Sequence, residues 1–111
     1  MSQENLTTFG EMIKQLRLDK GLPQRKVAAQ LDIDTSLLAK YERNVRRPSK
    51  DLILKIALLF NIDSQILVSE AITDKIAYQI LEEDIDIKLL RVAENKVKYI
   101  KSKKSNHSNK I

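Results

Sequence analysis

With 111 residues, the chain is long enough for one compact core and too short for a nucleotide-binding domain joined to a second catalytic domain. It contains no cysteine, which excludes a disulfide framework and a zinc finger, and no apolar run approaches the roughly 20 residues of a membrane span. Its 20 lysine and arginine residues outnumber 15 aspartate and glutamate residues, and the resulting charge of +5 fits a polyanionic partner.

Two helices are predicted near the N-terminus. The first covers about residues 8–20, because apolar residues recur there at helical spacing and are followed by Gly21, which accepts the positive φ of a helix end. Pro23 suits the start of the second helix, where its missing N–H costs nothing, and this helix is predicted to close at Asp32. Its apolar stripe consists of Val27, Ala28 and Leu31.

A third and a fourth helix follow. Asp34 can cap the third by accepting backbone N–H bonds, and Asn44 tolerates the left-handed conformation at its end. Pro48 ends the next loop and Ser49 caps the fourth helix. The residues of the fourth helix expected to face a core are Leu52, Ile53, Ile56, Ala57 and Phe60.

Two further helices complete an all-α prediction. One begins at Asp63 or Ser64 and contains apolar residues to Ile80, and the last covers about residues 83–101. Residues 102–111 have almost no apolar content, so we expect them to be disordered. No segment has the alternating pattern of a strand.

Two short helices joined by a tight turn present the second helix, which fits the major groove of B-form DNA. The segment QRKVAAQLDIDTSLLAKYERNVRRP, residues 24–48, also resembles the helix-turn-helix of the Cro and phage-repressor-like family, called XRE. The resemblance covers about residues 8–67 and implies a lambda-repressor-like domain of five helices that binds double-stranded DNA. Asp32 and Asn44 stand where the family usually has glycine, and both tolerate positive φ.

The resemblance also implies roles for single residues. Gln24 bonds a phosphate and braces the recognition helix, while Thr35 and Ser36 occupy base-edge positions. Lys40 reaches a guanine or a phosphate, and Leu37 contacts a thymine methyl group or is a packing residue. The remaining expected DNA-binding residues are Arg25, Ala39, Arg43, Arg46 and Arg47.

These roles have a simpler alternative. Taken alone, each polar residue is more often a solvated surface position than a DNA contact, and only the multi-position motif reverses that balance. Arg43, Arg46 and Arg47 follow the third helix, where family members contact the DNA backbone.

Arg17 and Glu42 match positions that form an internal ion pair in the family, and Tyr41 is expected in the core.

The sequence offers no catalytic site. The only histidine, His107, lies in the predicted tail, and neither a cysteine nucleophile nor a glycine-rich phosphate loop is present. The carboxylates that could suggest a metal or an acid/base pair precede the predicted last helix, whose N-terminal dipole they complement. These carboxylates are Glu82, Glu83, Asp84 and Asp86. We therefore expect no enzyme, no cofactor, no metal and no small-molecule substrate.

The chain is predicted to divide into a DNA-binding domain over residues 1–67, a helical extension over 68–101 and the basic tail over 102–111. The extension has more aliphatic residues than a five-helix module needs, so we expect a homodimer, with a helix folded back on its own monomer as the alternative. The expected dimerisation residues are Ile76, Ile80, Leu89, Leu90, Ala93, Val97 and Ile100.

These features predict a cytoplasmic, dimeric repressor without membrane contact that acts at a palindromic operator. The overall plan resembles controllers of restriction-modification systems and phage-type repressors. The alternative is an antitoxin-type interaction protein that autoregulates its operon and binds a partner through its C-terminal helices.

Overall fold

The computed structural model describes residues 6–108, which form helices and connecting turns without any strand. The all-α prediction is therefore confirmed for this part of the chain. The helices are α1 (Phe9–Asp19), α2 (Gln24–Leu31), α3 (Thr35–Glu42), α4 (Lys50–Phe60), α5 (Ser64–Glu82) and α6 (Leu89–Ser108). Among the described residues, none of these helices combines the length and the apolar character needed to cross a membrane.

Polar side chains start several of the helices. Thr8 and Glu11 form a capping box at α1, in which the Thr8 hydroxyl accepts from the Glu11 N–H at 3.2 Å and the Glu11 carboxylate accepts from the Thr8 N–H at 3.0 Å. Ser49 Oγ accepts a first-turn N–H of α4 at 3.1 Å, as predicted. Asp63, rather than Ser64, precedes α5. Asp34 occupies the position before α3, but its side chain makes no capping hydrogen bond, so that part of the prediction is wrong.

Helices α1 to α5 end in the same way, on a residue in the left-handed conformation with φ between 51° and 65°. The next N–H then donates to the carbonyl five residues earlier, at 2.9 to 3.2 Å, which is the Schellman arrangement. The left-handed residues are Gly21, Asp32, Asn44, Asn61 and Asp84. An apolar residue follows each of them. These five residues let the chain reverse direction after each of the first five helices.

The core is built by α1 to α4 and the first turn of α5. Phe9, Leu38 and Leu67 are among its largest fully buried side chains. The apolar stripes predicted for the second and fourth helices are buried, and Tyr41 is a core residue. Full burial of each large aliphatic side chain stabilises the fold by about 1.5–3 kcal/mol, so these contacts hold the short helices α2 and α3 in place.

The described residues form two compact units, one ending at Ile76 and the other beginning at Ala77. The first unit therefore continues beyond residue 67, the predicted boundary, because α5 still contributes to it. Val68 and Ala71 are partly buried against the core, and Asp74 Oδ2 accepts the Phe9 N–H at 2.8 Å.

The second unit contains the end of α5, a turn and α6, and it begins its last helix later than predicted. The left-handed Asp84 ends α5, and α6 begins at Leu89 rather than near residue 83. Glu82 is thus the last residue of α5 and does not start the next helix, contrary to the prediction for the acidic cluster. Only Asp86 supports α6, since its carboxylate accepts the Lys88 N–H at 2.9 Å.

The end of α6 also differs from the prediction. The helix continues to Ser108, so residues 102–108, expected to be disordered, are helical. Lysine has a high helix propensity, and Lys103 and Lys104 lie near the helix C-terminus, where positive charge complements the dipole. Without apolar residues this segment cannot pack against a core, but it can still form a helix. Residues 109–111 and the side chain of His107 lie outside the described part of the chain.

Candidate nucleic-acid interface

The helix-turn-helix consists of α2, a turn over residues 32–34 and α3. The left-handed Asp32 (φ 58°) allows a reversal immediately after α2 and lets the Ile33 N–H bond back to the Ala28 carbonyl at 3.0 Å. Ala28 is only 1% exposed, and its small side chain permits α2 and α3 to approach each other closely. The turn therefore sets α3 against the core by backbone geometry and packing together.

One face of α3 is fixed in the core and the other is open. Leu38, Tyr41 and Glu42 are buried, which determines how the helix is rotated about its axis. Thr35, Ser36 and Lys40 are exposed, and Leu37 and Ala39 are half-buried. Leu37 packs against the core cluster, so the packing role predicted for it is present. The open face carries hydroxyl groups and one cation, which are suitable for hydrogen bonds to base edges and phosphates.

A buried ion pair holds the end of α3 against α1. Arg17 Nε lies 2.7 Å from Glu42 Oε2, and Arg17 Nη2 donates to Glu42 Oε1 at 2.9 Å, so the pair predicted from the sequence is present and bidentate. A third donor, Arg17 Nη1, bonds the Leu22 carbonyl at 2.9 Å. The hydrogen bond to Glu42 raises the pKa of Arg17, whereas burial opposes it. The arginine therefore remains charged and ties α1, the α1–α2 loop and α3 together.

Gln24, the first residue of α2, joins the same network. Its Nε2 donates to Glu42 Oε1 at 3.0 Å, which braces the end of α3. The phosphate contact expected for Gln24 stays a prediction, and this bond leaves one amide hydrogen for it. Among the side chains of residues 6–105, no buried nitrogen or oxygen atom lacks a hydrogen-bond partner.

Asn44 forms a second link between α3 and α1, which sequence reasoning missed. Its Oδ1 accepts the Gly10 N–H at 3.0 Å, and its Nδ2 donates to Thr8 Oγ1 at 2.7 Å. Gly10 allows this approach, because a Cβ there would lie 2.6 Å from the Glu42 carbonyl oxygen. The sequence indicated the positive φ of Asn44, but the side-chain contacts depend on how α1 and α3 meet in space.

The open face of α3 continues into a basic segment. Arg43, Arg46 and Arg47 are exposed, and so is Arg25 in the first turn of α2. Lys50, also exposed, opens α4 and was not singled out from the sequence, although it lies three residues after Arg47. Glu42, the only carboxylate of residues 40–50, is buried with Arg17, so the exposed ionisable side chains of this segment are all cationic.

The residues predicted for dimerisation belong to α5 and α6. Leu89, Val97 and Ile100 of α6 are 50 to 55% exposed, Leu90 is 39% exposed and Ala93 is also exposed. Ile76 is 48% exposed and Ile80 is half-buried. Among residues 6–105, whose side chains the structure describes, no group of acidic side chains is arranged to hold a metal ion.

Comparisons with known proteins agree with this geometry. A sequence model described as Helix-turn-helix matches residues 13–67. The HTH-type transcriptional regulator ImmR of Bacillus subtilis (strain 168) is 32% identical over 63 residues, covering 57% of this chain and 50% of ImmR. The HTH-type transcriptional regulator RamB of Mycobacterium tuberculosis is 31% identical over 84 residues, covering 73% of this chain and 18% of RamB. The chain thus spans half or less of these curated relatives.

Solved structures with similar folds are regulators as well. SinR, described as a master regulator for biofilm formation and solved in complex with DNA, has a TM-score of 0.51 and 27% identity over 55% of this chain and 98% of that one. ClgR, the clp gene regulator from Corynebacterium glutamicum, has a TM-score of 0.52 and 25% identity over 79% and 88% of the two chains. A SinR/SinI complex, at 24% identity and a TM-score of 0.52 over 86% and 99%, shares the fold.

Proposed function

Because residues 13–67 form a helix-turn-helix domain of the Cro and phage-repressor-like (XRE) family, we propose that the chain binds double-stranded DNA by sequence and regulates transcription. The observation that carries the proposal is the division of α3. Its inner face is fixed by Leu38, Tyr41 and the Arg17–Glu42 pair, while its outer face presents free polar positions beside exposed cations. The relatives matched above are transcriptional regulators rather than enzymes.

The proposed division of labour follows from the chemistry of each side chain. Thr35, Ser36 and Lys40 on the open face of α3 read base edges in the major groove. Arg43, Arg46 and Lys50 are exposed cations, and they bind the phosphate backbone, which contributes affinity and salt dependence rather than sequence preference. The Arg43, Arg46 and Lys50 positions all belong to the segment whose exposed ionisable groups are cationic.

The regulator is proposed to act as a homodimer on a palindromic operator. Leu89, Val97 and Ile100 lie on one helix and are about half exposed, which supports their use in an interface with a second copy. A two-fold dimer doubles the contact area and the length of the site, and its symmetry matches a palindrome. Repression by occlusion of polymerase is the simplest mechanism. Control of a restriction-modification system, a phage-type role and a cytoplasmic location stay predictions from the sequence.

The test is selection from a random library of duplex DNA with the purified chain, accompanied by a measurement of its mass in solution. We expect enrichment of a palindromic sequence and the mass of a dimer. Absence of any enriched sequence, with binding that only responds to salt, contradicts the proposal. An enriched site without two-fold symmetry, bound by a monomer, contradicts the dimer and retains specific binding.

A second candidate function is an antitoxin-type interaction protein whose C-terminal helices bind a different protein. The exposed aliphatic residues of α6 favour it as much as they favour a homodimer, because either partner would cover them. A chain that is monomeric at micromolar concentration and whose residues after 76 become protected from hydrogen exchange only with a partner would support this candidate over the homodimer.

A further inference from the structure

A groove between α4 and α5 lies in the first unit, apart from the open face of α3. Its volume is about 340 Å³. Its apolar lining consists of Pro48, Ile53, Val68, Ala71 and Ile72. Ile53 is only 5% exposed and forms part of the core, whereas Ile72 is 51% exposed. The groove thus has five apolar lining residues, and one large aliphatic side chain among them is half open to water.

The remaining lining residues are all cationic. They are Arg47, Lys50 and Lys75, and no aspartate or glutamate lines the groove. Three carboxylates, those of Asp51, Glu70 and Asp74, are sequence neighbours of lining residues, and Asp74 already accepts the backbone N–H of Phe9 at 2.8 Å. An apolar floor with three cations at its edges is complementary to a ligand that is apolar on one side and negatively charged at the margins.

We propose that this groove binds an acidic amphipathic helix of a partner protein. Val68, Ala71, Ile72 and Lys75 recur at the spacing of one helix face, so α5 presents a continuous ridge against which a second helix can pack. The groove is open rather than enclosed, which suits a helix laid along it better than a small molecule that must bury most of its surface. The apolar floor also favours a helix over a DNA backbone, which offers phosphates but no apolar face.

The groove lies beside the segment proposed to bind the DNA backbone, so a helix bound there should affect DNA binding; this inference rests on the proposed function. Arg47 lines the groove and also belongs to the segment proposed to bind the phosphate backbone. Carboxylates of a bound helix would therefore compete with phosphates for the same positive charge and bring negative charge close to the DNA. Occupancy of the groove weakens DNA binding without contact to the open face of α3.

The experiment titrates the full chain, in the absence of DNA, with a synthetic capped peptide of about 18 residues that has leucine on one helical face and glutamate on its flanks. We expect saturable binding that weakens about tenfold in Ile72→Ser and in Lys75→Glu. Lys55→Glu is the matched control, because it makes the same charge change at an exposed residue of α4 that does not line the groove. It should change the affinity less than twofold. Thermal unfolding of each variant verifies that it folds.

Three results overturn the proposal. The first is the absence of saturable binding, and the second is an equal loss of peptide affinity in Lys55→Glu and Lys75→Glu. The third is a loss of random-duplex binding in Lys75→Glu as large as that in Arg46→Ala, which would assign the groove to the DNA backbone. A peptide of the same pattern with lysine in place of glutamate should not bind. Because the titration contains no DNA, failure of the groove is distinguishable from failure of the DNA-binding proposal, which the library selection tests without peptide.

Discussion

The side-chain amide of Asn44 accepts the backbone N–H of Gly10 at 3.0 Å and thereby joins the second residue after α3 to the first turn of α1. The same amide donates to Thr8 Oγ1 at 2.7 Å, so both of its polar atoms serve the start of α1. The left-handed backbone of Asn44 (φ 61°) orients the side chain for these bonds. Asn44 therefore ends one helix and supports the beginning of another.

Asn44→Gly should destabilise the fold, although glycine suits the left-handed backbone better. The variant loses two long-range hydrogen bonds and leaves the Gly10 N–H without its acceptor, a loss of about 1–2 kcal/mol after the easier backbone is included. Urea unfolding at neutral pH measures the difference. Asn61→Gly is the control, because no side-chain hydrogen bond of Asn61 accompanies its φ of 53°, and it should be neutral or stabilising. Equal stability of Asn44→Gly and the parent chain would contradict the role given to this amide.

Gly10→Ala should cost more than Gly21→Ala, and for a different reason. A Cβ at Gly10 would meet the backbone carbonyls of Tyr41 and Glu42, which can move only if α1 and α3 separate. At Gly21 a Cβ has open space, and the penalty comes only from φ at 65°. We expect a loss of roughly 2–4 kcal/mol for Gly10→Ala and about 1 kcal/mol for Gly21→Ala. The reverse order in denaturant midpoints would refute the close approach of the two helices.

Removing one partner of the Arg17–Glu42 pair should destabilise the fold more than replacing both residues with apolar ones. Arg17→Met leaves the Glu42 carboxylate buried with only Gln24 as a side-chain partner, and we expect a loss of about 3–5 kcal/mol. Adding Glu42→Leu removes the uncompensated charge and should restore a substantial part of the stability. Chemical denaturation of both single variants and the double variant gives the coupling free energy. Additive single losses would show that the two residues act independently, contrary to their bidentate contact.

Lys40→Ala should weaken operator binding more than binding to a random duplex, because Lys40 lies on the open face of α3. Arg46→Ala should weaken both to a similar extent, since a phosphate contact carries little sequence information. Titration of both variants on the selected duplex and on a scrambled duplex checks the roles. A matching pattern of losses in the two variants would invalidate the division between base and backbone contacts.

Glu70→Gln should raise stability at neutral pH. Burial and then the nearby Asp74 raise the pKa of Glu70, so the folded state favours the protonated carboxyl. A group with a raised folded pKa contributes stability below its unfolded pKa and loses that contribution as pH rises through the folded pKa. The advantage of Glu70→Gln should therefore be present at pH 7 and fade toward pH 4. Thermal unfolding at both pH values tests this, and an advantage independent of pH would assign the effect to something other than ionisation.

The buried faces of the helices could be predicted from the sequence, because apolar side chains at helical spacing are stabilised by burial in a core. Val27, Ala28 and Leu31 are buried for this reason. The Arg17–Glu42 pair was accessible only through the resemblance to a family, since the two residues are 25 positions apart and nothing local links them. The outward positions of Thr35, Ser36 and Lys40 were predicted from the same family resemblance.

The errors come from residues whose local preference permits more than one conformation. Asp84 suits both the first turn of a helix and a left-handed helix end, and the structure has the second, so α6 starts at Leu89. The lysine-rich end of α6 is polar but still has a high helix propensity. The partners of Asn44 could not be predicted, because they depend on the packing of α1 against α3 and not on neighbouring residues.

The left-handed helix ends give this chain positions at which its stability can be raised. Asparagine and aspartate adopt positive φ at a cost that glycine does not have, and Asp32, Asn61 and Asp84 all do so. Each is a position where a change to glycine can strengthen the fold by a few tenths of a kcal/mol to about 1 kcal/mol. Asn44 is the exception, because its side chain has acquired a structural role. Substitution by glycine can therefore stabilise the fold at three of these four positions. At the fourth, Asn44, the second residue after α3 also links that helix to the start of α1.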